Sequence, residues 1–518
     1  KIMKKTLFPF LFLCFTVYIN AQRTANGFFV TKDTVIGKAF DGNDIVAKCY
    51  QPQHKIYRWH WDGFSDNLLL ELRQANKKGT SFKNEGNVVM IDLEDKSVKW
   101  SRNVNYNNSE TKQQGRYLFL AEKKKNLCLD PETGKVLWEN KNDFYFIDPE
   151  LNIGVGYPLQ SMSNNLSAID LSNGNILWTK PVDRTRGWDD AYMLTDSILL
   201  VSVNGIQALE LPTGKSWSYK ATTSQKKIGK MIATNAAGIL LGVLTGTVMY
   251  QTNPDEVTEM VSNMLIDEEN TIVLASRDMI SRVGNSGEIQ WSIPLPEKIT
   301  SKSSLFLKDS VIYMINRGYA FYNGGFSTVG DPYFAAFNLN DGTQRYLNMI
   351  PEKKEFIRNF QVINDVLFLV FENKIVTYSL ADGSLLTEKI IGLEKGERLD
   401  TFVESGIYAL QGDSTFMDLA AAYPEQNLIM TSENRVISLT DSLETLITYD
   451  KKDVFKKTID NGNYKFLTND EKEFTVCDYS GKALMKFRAS PNMFMRNNKL
   501  YAFDKDLFWE LSLSAFVR

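Results

Sequence analysis

Three stretches of the chain repeat one another at a fixed interval: Leu127–Trp138 (LCLDPETGKVLW), Ser167–Trp178 (SAIDLSNGNILW) and Gln207–Trp217 (QALELPTGKSW). Their turn glycines, Gly134, Gly174 and Gly214, stand forty residues apart each time. A period of about 40 residues with strand–turn–strand character marks a blade array, because one blade cannot bury its own faces and must stack on neighbours. Each unit reads as two apolar strands, a turn of the form Asp-x-x-Thr/Asn-Gly, and a further strand that carries Trp. The unit with Tyr117–Ala121, Asn126–Asp130 and Val136–Asn140 shows all of this. Alternation at period two, rich in Val, Ile, Leu and aromatics, indicates strands, and the glycine supplies the positive φ of a tight hairpin. A helical solenoid would need apolar residues at 3.6 spacing instead.

The pattern recurs with decay. Asn87–Trp100 keeps the Asp and Trp but has Lys96 where the glycine should stand. Asp278–Trp291 keeps Gly287 and Trp291, while Ala335–Tyr346 keeps Gly342 and exchanges Trp for Tyr. Ile375–Thr387 and Phe474–Met485 keep Gly383 and Gly481 without the aromatic. That makes eight readable units. Leu240–Met260, Leu428–Leu446 and the half-unit Lys499–Leu513 fit more weakly. The expected fold is all-β: one large propeller of four-stranded meander blades over residues 22–518. Eight blades are the default and the count admits ten or eleven. N- and C-terminal strands are expected to pair and close the ring, as half-units at chain ends must.

The run Ala168-Ile169-Asp170-Leu171-Ser172-Asn173-Gly174-Asn175-Ile176-Leu177-Trp178 resembles the tryptophan-docking repeat of the pyrroloquinoline-quinone-like propellers. Asp130, Thr133, Gly134 and Trp138 match that family's consensus position for position; Thr213 and Gly214 match with Glu210 in place of Asp. The resemblance is clear over residues 87–292 and weaker to the end. It implies the fold and says little of activity. The family includes quinone-dependent alcohol and sugar dehydrogenases, and also a non-enzymatic outer-membrane lipoprotein that supports β-barrel assembly. The chain is nearer in kind to the latter, because a quinoprotein dehydrogenase should show a vicinal Cys-Cys pair and a calcium site, and no such pair occurs. Shared fold licenses no activity by itself.

The N-terminal segment has Lys4 and Lys5, an apolar run from Leu7 to Ile19, and Ala21 before Gln22. This is the layout of a secretory signal peptide over residues 1–21, too short in its apolar part to span a bilayer with margin. Cleavage after Ala21 leaves a mature chain with no transmembrane segment, periplasmic or secreted. Large residues before Cys14 argue against lipidation there. The chain holds 59 Lys+Arg and 62 Asp+Glu; without residues 1–21 the balance is 56 to 62, a net charge of −6. Mild acidity disfavours nucleic acid as a partner. The run Lys123-Lys124-Lys125 reads as a solvated turn. Cys49, Cys128 and Cys477 remain, an odd number, and Cys128 and Cys477 read as buried small hydrophobes on strands.

No catalytic constellation emerges, and no cofactor or metal site is assigned. Asp189-Asp190 and Asp41-Gly42-Asn43-Asp44 are oxygen-rich but read as turns. Cys49, His54 and His60 hold the only two histidines, with Asp62 nearby, in a spacing that matches no zinc motif. Carboxylate chemistry in a central channel stays open, since paired acids there need not be close in sequence. The candidate partner-binding loop is Asn316–Phe334, which lengthens its unit and carries Tyr319, Phe321, Tyr322, Phe326 and Tyr333 among four glycines. Aromatics on an insertion suit an interface anchor. Arg184–Asp190 is a second, weaker loop. The expected function is a non-enzymatic scaffold for other envelope or outer-membrane proteins. The alternatives are a quinone-dependent dehydrogenase, and glycan-binding or carboxylate chemistry.

Overall fold

The computed structural model describes residues 22–23, 27–182, 190–203, 205–220, 260–322, 325–351, 355–412, 414–424, 426–440, 442–469 and 472–513. Among them, eight four-stranded antiparallel sheets follow one another along the chain. The first runs from Lys55–Trp61 to Val98–Asn105, the second from Ser109–Gln114 to Val136–Asn140, and the third from Asn142–Asp148 to Ile176–Pro181. The fourth begins with Asp190–Met193 and the fifth with Leu265–Ile266; the sixth begins with Ser303–Lys308, the seventh with Asn359–Ile363 and the eighth with Leu399–Phe402. Strands pair with their neighbours in sequence, which is the meander blade of a β-propeller.

Burial follows strand position. Middle strands such as Val311–Asn316, Ile272–Ala275 and Asn427–Thr431 are buried along their whole length. They read as continuous apolar runs because both faces are covered. Last strands such as Ile176–Pro181 and Leu385–Ile390 alternate with solvent and form the outer edge of each sheet. First strands are tied side by side by side chains: Lys112 Nζ to Asp143 Oδ1 at 2.6 Å, and Asn359 Nδ2 to Thr401 Oγ1 at 2.8 Å.

Neighbouring sheets interlock through the repeat signature. The Trp138 ring lies over Gly174, Trp178 over Gly214, Trp217 over Gly287 and Trp291 over Gly342, and a Cβ on any of these glycines would stand 2.7 to 2.8 Å from a ring atom. Each indole then donates its N–H to a carbonyl of the turn it covers: Trp138 to Leu171 at 2.9 Å, Trp178 to Leu211 at 2.6 Å, Trp291 to Leu339 at 2.9 Å. Tyr346 does the same over Gly383, its hydroxyl donating to Leu380 O at 2.8 Å. A register shift recurs beside the docking residue, at Cys128/Leu129, Ala168/Ile169 and Arg282/Val283. Such bulges re-aim a side chain, here into the next turn. The turn Asp is a turn residue: Asp170 Oδ1 accepts the Ser172 N–H at 2.8 Å, and hydrogen bonds from Ser172 hold its carboxyl below the usual range.

Two compact units are present. One comprises the described residues of Lys1–Asn107, Glu132–Gly134 and Thr458–Arg518, the other those of Asn108–Pro131 and Lys135–Lys457. In the first, N- and C-terminal strands share one large sheet. Asp44–Pro52 pairs with Phe508–Ser512 (Lys48 opposite Glu510), and Phe29–Ala39 joins it to Ala483–Arg488. Gly37 is required at that join, since a Cβ would lie 2.1 Å from Lys486 O. The weak half-unit Lys499–Leu513 thus finds strands from the other end of the sequence. The weak unit Leu428–Leu446 contributes to the eighth sheet, with Leu443 at φ 64° where a glycine was expected. Residues 1–21, the loop 184–189 and the segment 240–259 lie outside the described residues.

Candidate functional site

The expected partner loop is a folded insertion. Between strands Val311–Asn316 and Tyr333–Asn338 of the sixth sheet the chain makes a separate hairpin, Tyr319–Tyr322 against Gly325–Thr328, with Phe321 opposite Phe326. Its root is fixed by Asn316, which is wholly buried. The Asn316 Oδ1 accepts from the Ser301 N–H (2.7 Å) and from the hydroxyls of Ser301 (3.1 Å) and Ser303 (3.3 Å). Its Nδ2 donates to Ile299 O (3.0 Å) and Asp331 O (2.7 Å), so its amide is saturated. Gly330, at φ 69°, passes so close to Ile299 that a Cβ would sit 2.0 Å from its carbonyl oxygen.

Two of the five named aromatics belong to the interior and not to an exposed anchor. Tyr333 is 0 % exposed, starts the third strand of the sheet, and shares a 2.9 Å hydrogen bond with Thr300 Oγ1. Tyr319 is 8 % exposed and packs on Phe356 with ring centroids 5.2 Å apart, and the Arg317 guanidinium lies over its ring at 5.1 Å. Tyr319 opens the hairpin and Tyr333 opens the returning strand of the sheet, so both stand at the insertion's base, where they are buried. Phe321, Tyr322 and Phe326 lie further out on the hairpin, and their side chains fall outside the described part.

Beside this root lies a recess of about 400 Å³, walled by Glu355, Glu372, Glu394 and Glu397 with Ile391 and Leu393. Glu355 adjoins Phe356, so the recess and the hairpin share one segment, and Ile357 N–H ties that segment to Arg317 O at 2.9 Å. Two of the acids are matched internally: Glu372 by Arg358 at 3.1 Å, and Glu397 by Arg435 through two contacts of 2.7 Å. Burial pushes the Glu397 carboxyl up. Hydrogen bonds from Arg435 and Thr431 outweigh it and bring the group down to about 2. The recess is lined mainly by acids, with Ile391 and Leu393 as its apolar part. Its acids come from three separated segments, and no spacing rule in the sequence could have gathered them.

The other candidates resolve into local structure. Cys49 Sγ contacts Thr34 Oγ1 at 3.4 Å, His60 Nε2 contacts the buried Glu71 at 3.0 Å, and Asp62 accepts the N–H of Phe64 and of Ser65. His54 lines a separate polar recess of about 430 Å³ with Lys55, Gln74 and Asp506. Among the described residues no group of three or more His, Cys, Asp or Glu is gathered as ligands. Asp41 accepts from its own turn residue Asn43, and Asp44 pairs with Lys38 at 2.9 Å. Cys49, Cys128 and Cys477 are buried and free, and burial pushes the thiols of Cys128 and Cys477 up to about 12. No helix among the described residues is long and apolar enough to cross a membrane.

Residues 84–235 match the family model described as outer membrane protein assembly factor BamB. A comparison with curated proteins returns no match. Solved structures that align include BamB from Moraxella catarrhalis, at 10 % identity over 78 % of this chain and 93 % of that one, with a TM-score of 0.26. A europium-containing methanol dehydrogenase aligns at 12 % identity over 65 % of this chain and 80 % of that one, with a TM-score of 0.26. Values this low carry no functional argument. The docked tryptophan–glycine pairs and the family match over residues 84–235 together support a β-propeller of the pyrroloquinoline-quinone-like repeat type.

Proposed function

We propose that the chain is a non-enzymatic scaffold of the cell envelope that helps to assemble outer-membrane β-barrel proteins. The observation that carries this reading is the match of residues 84–235 to a family described as an outer-membrane assembly factor. The leader-like residues 1–21 support it, with export, a mature start near Gln22 and a periplasmic location. The inserted hairpin and the acidic recess beside it are the proposed partner surface, with Phe321, Tyr322 and Phe326 as the contact residues and Tyr319 and Tyr333 as the rigid root. A rigid root matters because contact residues on a fixed base lose less conformational freedom on binding.

The test is genetic and biochemical together. Cells lacking the chain should contain less folded, heat-modifiable β-barrel protein in the outer membrane, and the full-length chain should restore it. Unchanged barrel levels would overturn the reading. Reduction of a dye by an alcohol or sugar, dependent on added quinone and calcium, would replace it with dehydrogenase chemistry.

A further inference from the structure

In the sheet shared by the chain's two ends, the strand between Phe508–Ser512 and Phe29–Ala39 carries no tryptophan. Asp44–Pro52 reads DIVAKCYQP, and Lys48 stands on it opposite Glu510. The turn it should dock against belongs to the first sheet, and there the glycine position holds Lys96 at φ 63°. Where Trp100, Trp138, Trp178, Trp217 and Trp291 dock, the facing turn has glycine, and a Cβ there would strike the ring. Here no indole docks, and the Lys96 side chain is itself buried, only 4 % exposed.

The ammonium of Lys96 is fully engaged. It meets Glu510 Oε2 at 2.6 Å, donates to Leu93 O, and lies 5.5 Å from the Tyr50 ring and 5.3 Å from the Tyr501 ring. Lys499 holds the other oxygen of Glu510 at 3.0 Å. Tyr50 comes from the N-terminal strand, Lys96 from the first sheet, and Tyr501 and Glu510 from the C-terminal strands. One cluster therefore reads whether all three are in place. A buried ion pair adds little net stability compared with apolar packing, yet removing one partner is heavily penalised because the other charge is left alone. Sliding Phe508–Ser512 by one residue against Asp44–Pro52 would turn Glu510 to the opposite face and strand the Lys96 charge.

We propose that Lys96 and Glu510 form a register lock at the seam between the chain's ends, selecting the correct strand pairing by charge where junctions such as Trp138–Gly174 use a docked tryptophan. The lock is a conformational device: it decides which edges close, and the seam opens locally when either charge is lost.

Hydrogen exchange on the full chain tests it, comparing Lys96→Met, Glu510→Gln and the double variant Lys96→Met/Glu510→Met. Glu510→Gln, which leaves the buried Lys96 without its carboxylate, should exchange about 10–100-fold faster in peptides covering 44–52 and 499–512, with 366–370 unchanged. Lys96→Met, which leaves Glu510 with Lys499, should exchange faster than the parent by a smaller factor. The double variant should return to within about threefold of the parent, since a matched apolar pair removes the stranded charge. After refolding from denaturant it should yield more oligomer, because its unselective edges pair between copies. If the single variants do not fold and the double does, the lock stands. Parent-like exchange in Lys96→Met, acceleration spread over all sheets, or a double variant no better than the singles would each overturn it.

Discussion

Replacing Gly174 by alanine isolates the interlock between sheets. Gly174 sits at φ 78°, and a Cβ there would lie 2.7 Å from Trp138 Cε3 and 2.8 Å from Cδ2. The ring has no free direction of retreat, since Trp138 Nε1 is bound to Leu171 O at 2.9 Å and the side chain is buried. Left-handed backbone at a non-glycine residue costs about 1–2 kcal/mol. Overpacking a filled site adds about 1–3 kcal/mol, for a total of about 2–5 kcal/mol. Gly115 provides the control, because it also has positive φ (54°) and nothing stands within 4 Å of its Cβ position. Gly115→Ala should therefore cost only about 1–2 kcal/mol. Adding Trp138→Leu to Gly174→Ala should be less than additive, with a coupling of about 0.5–3 kcal/mol. Hydrogen exchange in peptides spanning 165–181 is the assay, since a long repeat array need not unfold in one transition. Equal losses in the two alanine variants would refute the reasoning, for then backbone strain alone explains both.

Glu397 makes stability depend on acid. Its folded value of about 2 is below the usual unfolded value of about 4.3, so its contribution is complete above the latter and is lost as pH falls through the former. Acid titration followed by fluorescence should show weakening between about pH 4 and 2, and Glu397→Gln should flatten that part of the curve. The native chain at pH 8 should resist alkylation at Cys128 and Cys477 and react at both after unfolding, read by mass spectrometry; rapid native labelling would contradict their burial. Tyr322→Ser with Phe326→Ser should leave thermal stability within about 0.5 kcal/mol of the parent and weaken capture of barrel-assembly partners. Tyr333→Ala, in the hairpin's root, should cost about 3–5 kcal/mol, and early melting of the double serine variant would assign the hairpin to the core.

The fold was legible because its determinants are local. Asp170, Gly174 and Trp178 lie within one strand–turn–strand, and each does locally what its type suggests: the Asp binds its turn, the glycine takes positive φ, the Trp leaves the bulge. Lys96 looked like decay of the pattern. Its meaning depends on Glu510, far away in sequence, and no local rule links them. Leu443 is the milder case, a buried residue at φ 64° facing a strand with Thr387 in place of the aromatic. Tyr319 and Tyr333 were misread for another reason. An insertion rooted between two buried strands carries core residues at both margins, and aromatic richness alone does not separate root from tip. The recess was invisible because Glu355, Glu372, Glu394 and Glu397 are brought together only by packing of the seventh and eighth sheets.

The pairing of each Trp with a glycine in the following unit bears on how such a chain can change length. A duplicated unit brings its own Trp and its own glycine, so both new junctions are already compatible with what they meet. Deletion of a whole unit likewise joins a Trp to a glycine. The Lys96–Glu510 junction has no second copy anywhere in the described residues. Gain or loss of a repeat should therefore disturb the chain less among the units joined by Trp–Gly pairs than at its seam.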